Sequence, residues 1–290
     1  MSFDVSSLSR EKHVLIAGPT ASGKSALAID IATAQDRTVV NADALQVFGD
    51  WRVLTARPSV EEEAIAPHAL YGHIPGTVAY SVGHWLRDLA PLLEQPSVIV
   101  GGTGLYFAAL TEGLADIPPT PDAIRQEASE RLQSAGIPAL LDDLDAETAS
   151  RIDQQNPMRV QRAWEVLKAT GRSLADWQDD TGPPLLPRSL AEPLLIDAPK
   201  DWLTPRIEKR FHQMIAQGAL DEARVNAPTW SPDQPSAKAI GAAELIAHIR
   251  GTLTLDDARD AAIIATRQYA KRQRSWFRAR MKDWKRLSFV

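Results

Sequence analysis

Short apolar runs punctuate the first hundred positions, and one more follows near residue 195. Val14–Ala17, Thr38–Val40 and Val98–Val100 each end at glycine or a polar residue, as strands buried on both faces do. "PLLID" at 193–197 reads the same way. Helical spacing of apolar positions fills Ser25–Thr33 and Val82–Leu93. Strands alternating with helices predict an α/β fold built on a parallel sheet covered on both faces. Two proline clusters, "IPPTPD" at 117–122 and "TGPPLLPR" at 181–188, break helices and favour linkers. The stretch between them is patterned as helix throughout, with Gly136 and Gly171 placed to end helices. The expected organisation is a core from 1–117 and 193–290, interrupted by an all-helical insertion at 118–192. Helices are expected from residue 198 to the C-terminus.

Composition narrows the class. Of 290 residues, 44% are hydrophobic and 24% charged, enough apolar material for a buried core. No apolar run approaches the ~18 residues of a membrane span, and "MSFDVSSLSREKH" lacks the layout of an export signal. With no cysteine in the sequence, disulfides and thiolate-bound zinc are excluded, and a cytoplasmic location is expected. The net charge of −5 argues against a uniformly basic coat, so any nucleic-acid surface must be local. A local one is available. Arg267, Lys271, Arg274, Arg278, Lys282 and Lys285 recur at spacings of three or four within 255–286, on one face of a predicted helix. Ala258, Ala262, Ala265, Tyr269 and Trp276 form a second stripe, ~200° away at residue 269 relative to 267. One stripe packs and the other meets solvent or phosphates.

The candidate chemistry starts at Gly18-Pro19-Thr20-Ala21-Ser22-Gly23-Lys24-Ser25, a complete GxxxxGK[ST] loop between a strand and a helix. Its backbone N–H groups and helix N-terminus cradle phosphate oxygens, Lys24 adds charge, and the Ser25 hydroxyl can ligate Mg²⁺. Nucleotide enzymes of this type usually carry a metal-holding acid at the end of a second strand. Here that strand ends in Gly101-Gly102-Thr103-Gly104. The acid is Asp43, after the second strand, where it could bind metal or accept a proton. The residue types leave both roles open. His68 and His73 lack a third ligand at metal-binding spacing and read as loop or packing residues. Trp164 reads as packing.

The chain resembles the tRNA dimethylallyltransferases along nearly its whole length. The resemblance is carried by "GPTASGKS" (18–25), "NADALQVF" (41–48), "GGTGLYF" (101–107), "RVQRAWEV" (159–166), "RIEKRFHQMIAQG" (206–218), "AKAIGAAEL" (237–245) and "TRQYAKRQRSWFR" (266–278). It implies transfer of a dimethylallyl group from its diphosphate to the exocyclic N6 of the adenosine 3′ of the anticodon, in tRNAs reading codons that begin with U. By that likeness residues 18–25 hold the isoprenoid diphosphate with Mg²⁺, and Asp43 is the general base. Thr103 sits by the bridging oxygen and Arg210 helps hold the diphosphate. Asp43, Ala44, Leu45, Gln46 and Thr103 are implied to meet the target base, with Gln46 reading its edge. Arg125, Arg159, Val160, Gln161 and Arg162 of the insertion, with Lys271 and Arg274 of the basic stripe, are expected on the tRNA. The insertion would close over the anticodon stem-loop of a monomeric enzyme. The chain departs from the family pattern at Ala44 and Phe48, at "GDWRVLTARP" where Arg57 keeps a cation, and at Ala242. A small-molecule kinase is the alternative enzyme, but the missing acid at the third strand and the surplus of basic helix oppose it. A non-catalytic RNA-binding protein is opposed by the intact Lys24, Asp43 and Thr103.

Overall fold

Strand side chains alternate between opposite faces, so a continuous apolar run is stable only where both faces are covered. In the computed structural model, which describes residues 3–288, the sheet meets that condition. Its strands are β1 (His13–Ala17), β2 (Val39–Asn41), β3 (His68–Ala69), β4 (Val98–Gly101), β5 (Ala191–Ile196) and β6 (Lys285–Leu287). They pair in parallel in the order β3-β2-β4-β1-β5-β6. Val14, Ile16, Val39, Val98, Val100, Leu194 and Ile196 enter one apolar core. The residues between them, Leu15, Ala17, Val40, Ile99 and Leu195, enter the other. The register fixes the crevice: Ala17 pairs with Gly101 and with Leu195, so the loops after β1, β4 and β5 leave side by side.

The helices of this unit are α1 (Lys24–Gln35), α2 (Val60–Ile65), α3 (Val82–Leu89) and α4 (Gly104–Glu112). Five short or medium helices follow: α5 (Asp122–Ala135), α6 (Pro138–Leu141), α7 (Ala146–Arg151), α8 (Pro157–Thr170) and α9 (Leu174–Asp179). After β5 come α10 (Lys200–Ala216), α11 (Ala219–Asn226), α12 (Ala242–Ile249) and α13 (Leu255–Arg280). Helix α13 serves both faces. Ala262, Ile263 and Ala270 pack in the first core, whereas Phe277, and Met281 just beyond the helix, pack in the second. Gln273 falls between these groups, where the helix passes the strand ends. Among the described residues no helix is long and apolar enough to cross a membrane.

Contacts divide the chain into two units, one running through residue 111 and resuming at 185, the other spanning 112–184. The second unit holds α5 to α9 around its own core of Ala128, Leu140, Val160 and Trp164. Trp164 is fully buried and its indole N–H donates to Asp143 at 2.8 Å. That donor, with Lys168 and Arg131, holds the Asp143 carboxyl down at about 2.

Three sequence expectations change. The insertion ends at 184 rather than 192, because Leu186 is buried against the second face and β5 already pairs with β1 at Ala191. The described residues do not run in helix to their last position: α13 stops at Arg280 and β6 closes the sheet edge. Lys282 and Lys285 therefore leave the helical stripe. The second stripe also shifts, since Tyr269 and Trp276 are only half-buried while Ala270, Gln273 and Phe277 are buried.

Candidate functional site

The loop at 18–25 turns between β1 and α1, with Gly23 at φ +86° directing the chain into the helix. Two arginines one turn apart on α10 reach it. Arg206 Nε donates to the Ala21 carbonyl at 3.0 Å, and Arg210 Nη1 donates to Thr20 Oγ1 at 3.3 Å. Lys24 Nζ donates to the Pro19 carbonyl at 3.4 Å. Thr20, Lys24, Ser25, Asp43 and Arg210 all line one cavity. Burial brings the Lys24 ammonium down to about 8, with the like charge of Arg210 adding to it and Asp43 opposing. Burial also lowers the Arg210 guanidinium, against the pull of Asp43 and Glu62.

Asp43 is held by its own turn. Asn41 Oδ1 accepts from the Asp43 N–H at 2.8 Å, and Asn41 Nδ2 donates to the Asp43 and Leu70 carbonyls at 3.0 Å each. Asp43 Oδ1 accepts from the Leu45 N–H at 3.0 Å. Thr103 joins this turn to the strand beside it: its N–H donates to the Ala42 carbonyl, and its Oγ1 accepts from the Ala44 N–H at 2.9 Å. The approach is close enough to demand glycine. A Cβ at Gly101 would stand 2.0 Å from the Ala42 carbonyl oxygen, and one at Gly104 would stand 2.1 Å from the Trp276 ring. Buried Gln273 then ties the loops together. Its Oε1 accepts from the Thr20 N–H and its Nε2 donates to the Gly102 carbonyl, both at 2.9 Å. Tyr269 lines the cavity with the acid, and Tyr71 and Tyr106 lie within reach of its charge. Burial first, then the Asp43 charge, keeps all three phenols neutral.

A cation pair, a nest of backbone donors and a fixed carboxylate in one cavity suit the departure of an anionic group and removal of a proton. The family model for IPP transferase matches residues 46–280, and that for isopentenyl transferase matches 11–66. The tRNA dimethylallyltransferase of Dinoroseobacter shibae is 61% identical over 285 residues, covering 97% of this chain and 96% of its own. That of a Jannaschia species is 60% identical, with 97% of each chain covered. The chain belongs to the tRNA dimethylallyltransferase family. It is thus a prenyl-group transferase. Among solved structures, the tRNA isopentenylpyrophosphate transferase of Bacillus halodurans aligns with a TM-score of 0.66 at 31% identity, covering 96% of this chain and 90% of that one. A eukaryotic dimethylallyltransferase shares the fold at a TM-score of 0.80 and 24% identity, covering 96% of this chain and 74% of that one.

Within this family member, the structure gathers Thr20, Ala21, Lys24, Ser25, Asp43, Leu45, Gln46 and Arg210 around one cavity, with Thr103 bonded to its edge. Gln46 is less free than its sequence position suggested. Its Nε2 donates to the Thr55 and Ala56 carbonyls at 2.9 and 2.8 Å, which leaves Oε1 as the group that can face a ligand. Val160 does not reach the surface expected to meet tRNA. Its side chain is fully buried with Trp164, one turn on, in the core of the second unit, so it cannot touch a polynucleotide. Gln161 is committed to Ser129 and Glu165. Arg125 and Arg159 are exposed, and Arg162 is exposed while donating to Thr120 at 2.8 Å. Lys271 is exposed and Arg274 half-buried. The departures at Phe48 and Ala242 are buried apolar positions. Arg57 donates to the Phe48 and Gly49 carbonyls. Sequence reasoning passed over Gln273, Tyr71 and the bridging role of Arg206. Tyr269 and Gln273 lie one turn apart in the quoted "TRQYAKRQ" block, a spacing that puts both on one side of the helix.

Proposed function

We infer that this protein transfers the dimethylallyl group of dimethylallyl diphosphate to N6 of the adenosine 3′ of the anticodon, in tRNAs reading U-starting codons. The observation that carries the reading is the shared cavity of Lys24, Arg210 and Asp43. The nest at 18–25, Lys24 and Arg210 hold the diphosphate. As the bond from C1 to the bridging oxygen breaks, these groups take up the negative charge, with Thr103 beside the leaving oxygen. The C1–N6 bond forms as Asp43 accepts the amine proton, since the amine's lone pair is delocalised into the ring and too weak to attack unaided. The adenine must leave its stack to enter the crevice. Gln46 Oε1 is assigned to the base edge.

The family chemistry implies Mg²⁺. The residues fit it in one way. Ser25 is exposed and lines the cavity, and no cluster of three His, Cys, Asp or Glu ligands exists among the described residues. Mg²⁺ is often held by few protein groups together with substrate phosphates, so Ser25 with diphosphate oxygens would hold it. When bound, it adds positive charge against the leaving diphosphate.

Exposed Arg125, Arg159, Arg162 and Lys271, with Arg274, are assigned to tRNA phosphates, and the insertion to the anticodon stem-loop. The setting is a monomer in the cytoplasm. Incubation with unmodified tRNA and labelled dimethylallyl diphosphate should move label into RNA without ATP. A strict ATP requirement with a phosphorylated product would overturn the reading. tRNA binding should weaken steeply with salt, because each phosphate contact releases counterions. Lys271→Ala should flatten the log–log salt slope by about 1. An unchanged slope would remove Lys271 from the phosphate contacts.

A further inference from the structure

Two loops of the cavity are held unequally by the sheet. Gly102 lies one residue past β4, whereas Thr20 lies three past β1, so strand pairing fixes the first more closely than the second. Thr20 belongs to the loop at 18–25, and its Oγ1 accepts from Arg210. Arg206 braces the same loop against α10 through the Ala21 carbonyl. Gln273 braces it against the strand beside the acid. Its Oε1 accepts from the Thr20 N–H and its Nε2 donates to the Gly102 carbonyl, both at 2.9 Å, and the residue is only 5% exposed. Thr103, the next residue, accepts from the Ala44 N–H at 2.9 Å, beside Asp43. A Cβ at Gly102 would stand 2.2 Å from Gln273 Nε2 and 3.1 Å from Asp43 Oδ2, so the amide and the acid flank one backbone position. Helix α13 is itself fixed there: Tyr269, one turn earlier, lines the cavity, and the Trp276 ring packs on Gly104. Contacts thus run unbroken from Arg210 through Thr20, Gln273, Gly102 and Thr103 to the turn of Asp43.

We propose that Gln273 is a positioning residue: its amide locks the loop at 18–25 to the end of β4 and so holds the prenyl donor at reacting distance from the amine that Asp43 deprotonates. The proposal rests on the reading of this cavity as the site of prenyl transfer. The place demands a side chain that accepts on one side and donates on the other. A carboxamide does both, an ionised carboxylate only accepts, and an apolar chain of similar length does neither. Gln273 takes no part in the making or breaking of bonds. It acts on alignment, where a misplacement of about 1 Å costs about 10²-fold in rate. A loop released at Thr20 still has its nest, Lys24 and Arg210 for the diphosphate, so transfer suffers more than binding.

The test is single-turnover transfer from dimethylallyl diphosphate to unmodified tRNA, with affinity for a non-reacting dimethylallyl thiodiphosphate measured in parallel. Gln273→Met fills the space and makes neither bond. Its transfer rate should fall by about 10–10²-fold, and its donor affinity by a smaller factor. Gln273→Glu carries the discriminating signature. Ionised, it cannot donate to the Gly102 carbonyl; protonated, it accepts from the Thr20 N–H and donates to Gly102 as the amide does. Burial and the Asp43 charge favour the protonated form, Lys24 and Arg210 oppose it, and Tyr269 stays neutral. The rate of Gln273→Glu relative to wild type at the same pH should therefore climb towards unity as pH falls, by up to about tenfold per pH unit. A residue that only fills space gives a ratio flat in pH. A flat ratio between about pH 5 and 10, which brackets a buried glutamate, would overturn the proposal, as would a wild-type transfer rate in folded Gln273→Met. The pH comparison lies within one variant, so it decides the matter even where the methionine variant does not fold. A wild type that moves no label into tRNA would instead overturn the reading of the cavity.

Discussion

Asp43→Asn is expected to leave tRNA affinity intact and to lower turnover by about 10²–10⁴-fold, the range for a lost general base. The substitution is nearly isosteric, and an amide oxygen can still accept the Leu45 N–H that now fixes Oδ1. What disappears is the ability to take the proton from the amine. A second effect runs through charge. The Asp43 carboxylate favours the charged form of Lys24, so its removal lowers the Lys24 pKa further below about 8. Loss of activity through Lys24 alone would be recovered by assaying at lower pH, where the ammonium reforms. Loss of the base would not, because no proton acceptor returns. Single-turnover rates across pH, at saturating donor and tRNA, separate the two. Wild-type turnover, or full rescue by acid, would take Asp43 out of the general-base role.

The parts of the fold that could be read from the sequence are those with one unambiguous physical demand. β1, β2, β4 and β5 are apolar on both faces, and only a covered parallel sheet accommodates that pattern. The edge strands make no such demand. β3 is His68–Ala69, too short for periodicity, and β6 is Lys285–Leu287, whose exposed cations continue the spacing of the helix before it. Charged edge strands are how sheets avoid pairing with other chains, which also hides them from a search for apolar runs. The loop at 18–25 was legible as a turn from strand into helix because its glycines and lysine have fixed spacing. Asp43 was legible as an acid at a strand end, though the choice between base and metal ligand came only with the family resemblance. Gln273 was not legible. A glutamine in a run of arginines and lysines reads as surface, and it is buried only because a backbone N–H from one loop and a carbonyl from another satisfy its amide. Val160 failed for the opposite reason. The family resemblance placed 159–162 on the tRNA as one block, but the helix turns residue 160 inward with Trp164.

Lys24→Ala is expected to reduce kcat/KM by about 10²–10³-fold, as loss of one group stabilising a developing anion does. The wild-type lysine carries a pH signature that distinguishes this role from structure. In the free enzyme burial sets its pKa at about 8, well under the ordinary 10.5. An anionic diphosphate beside it favours the ammonium, so the pKa must rise on binding. The sign follows by linkage: below about 8 the lysine is already charged and donor affinity is flat with pH. Above it, binding must draw a proton from solution, and affinity should weaken up to tenfold per pH unit until the bound-state pKa is reached. Calorimetric titration with a non-reacting dimethylallyl thiodiphosphate, in buffers of different ionisation enthalpy, measures that uptake directly. Proton uptake should approach one above pH ~8.5 in the wild type and vanish in Lys24→Ala. Affinity independent of pH between neutral and strongly alkaline buffer, with no uptake, would show that the phosphate loop binds the donor without calling on this charge.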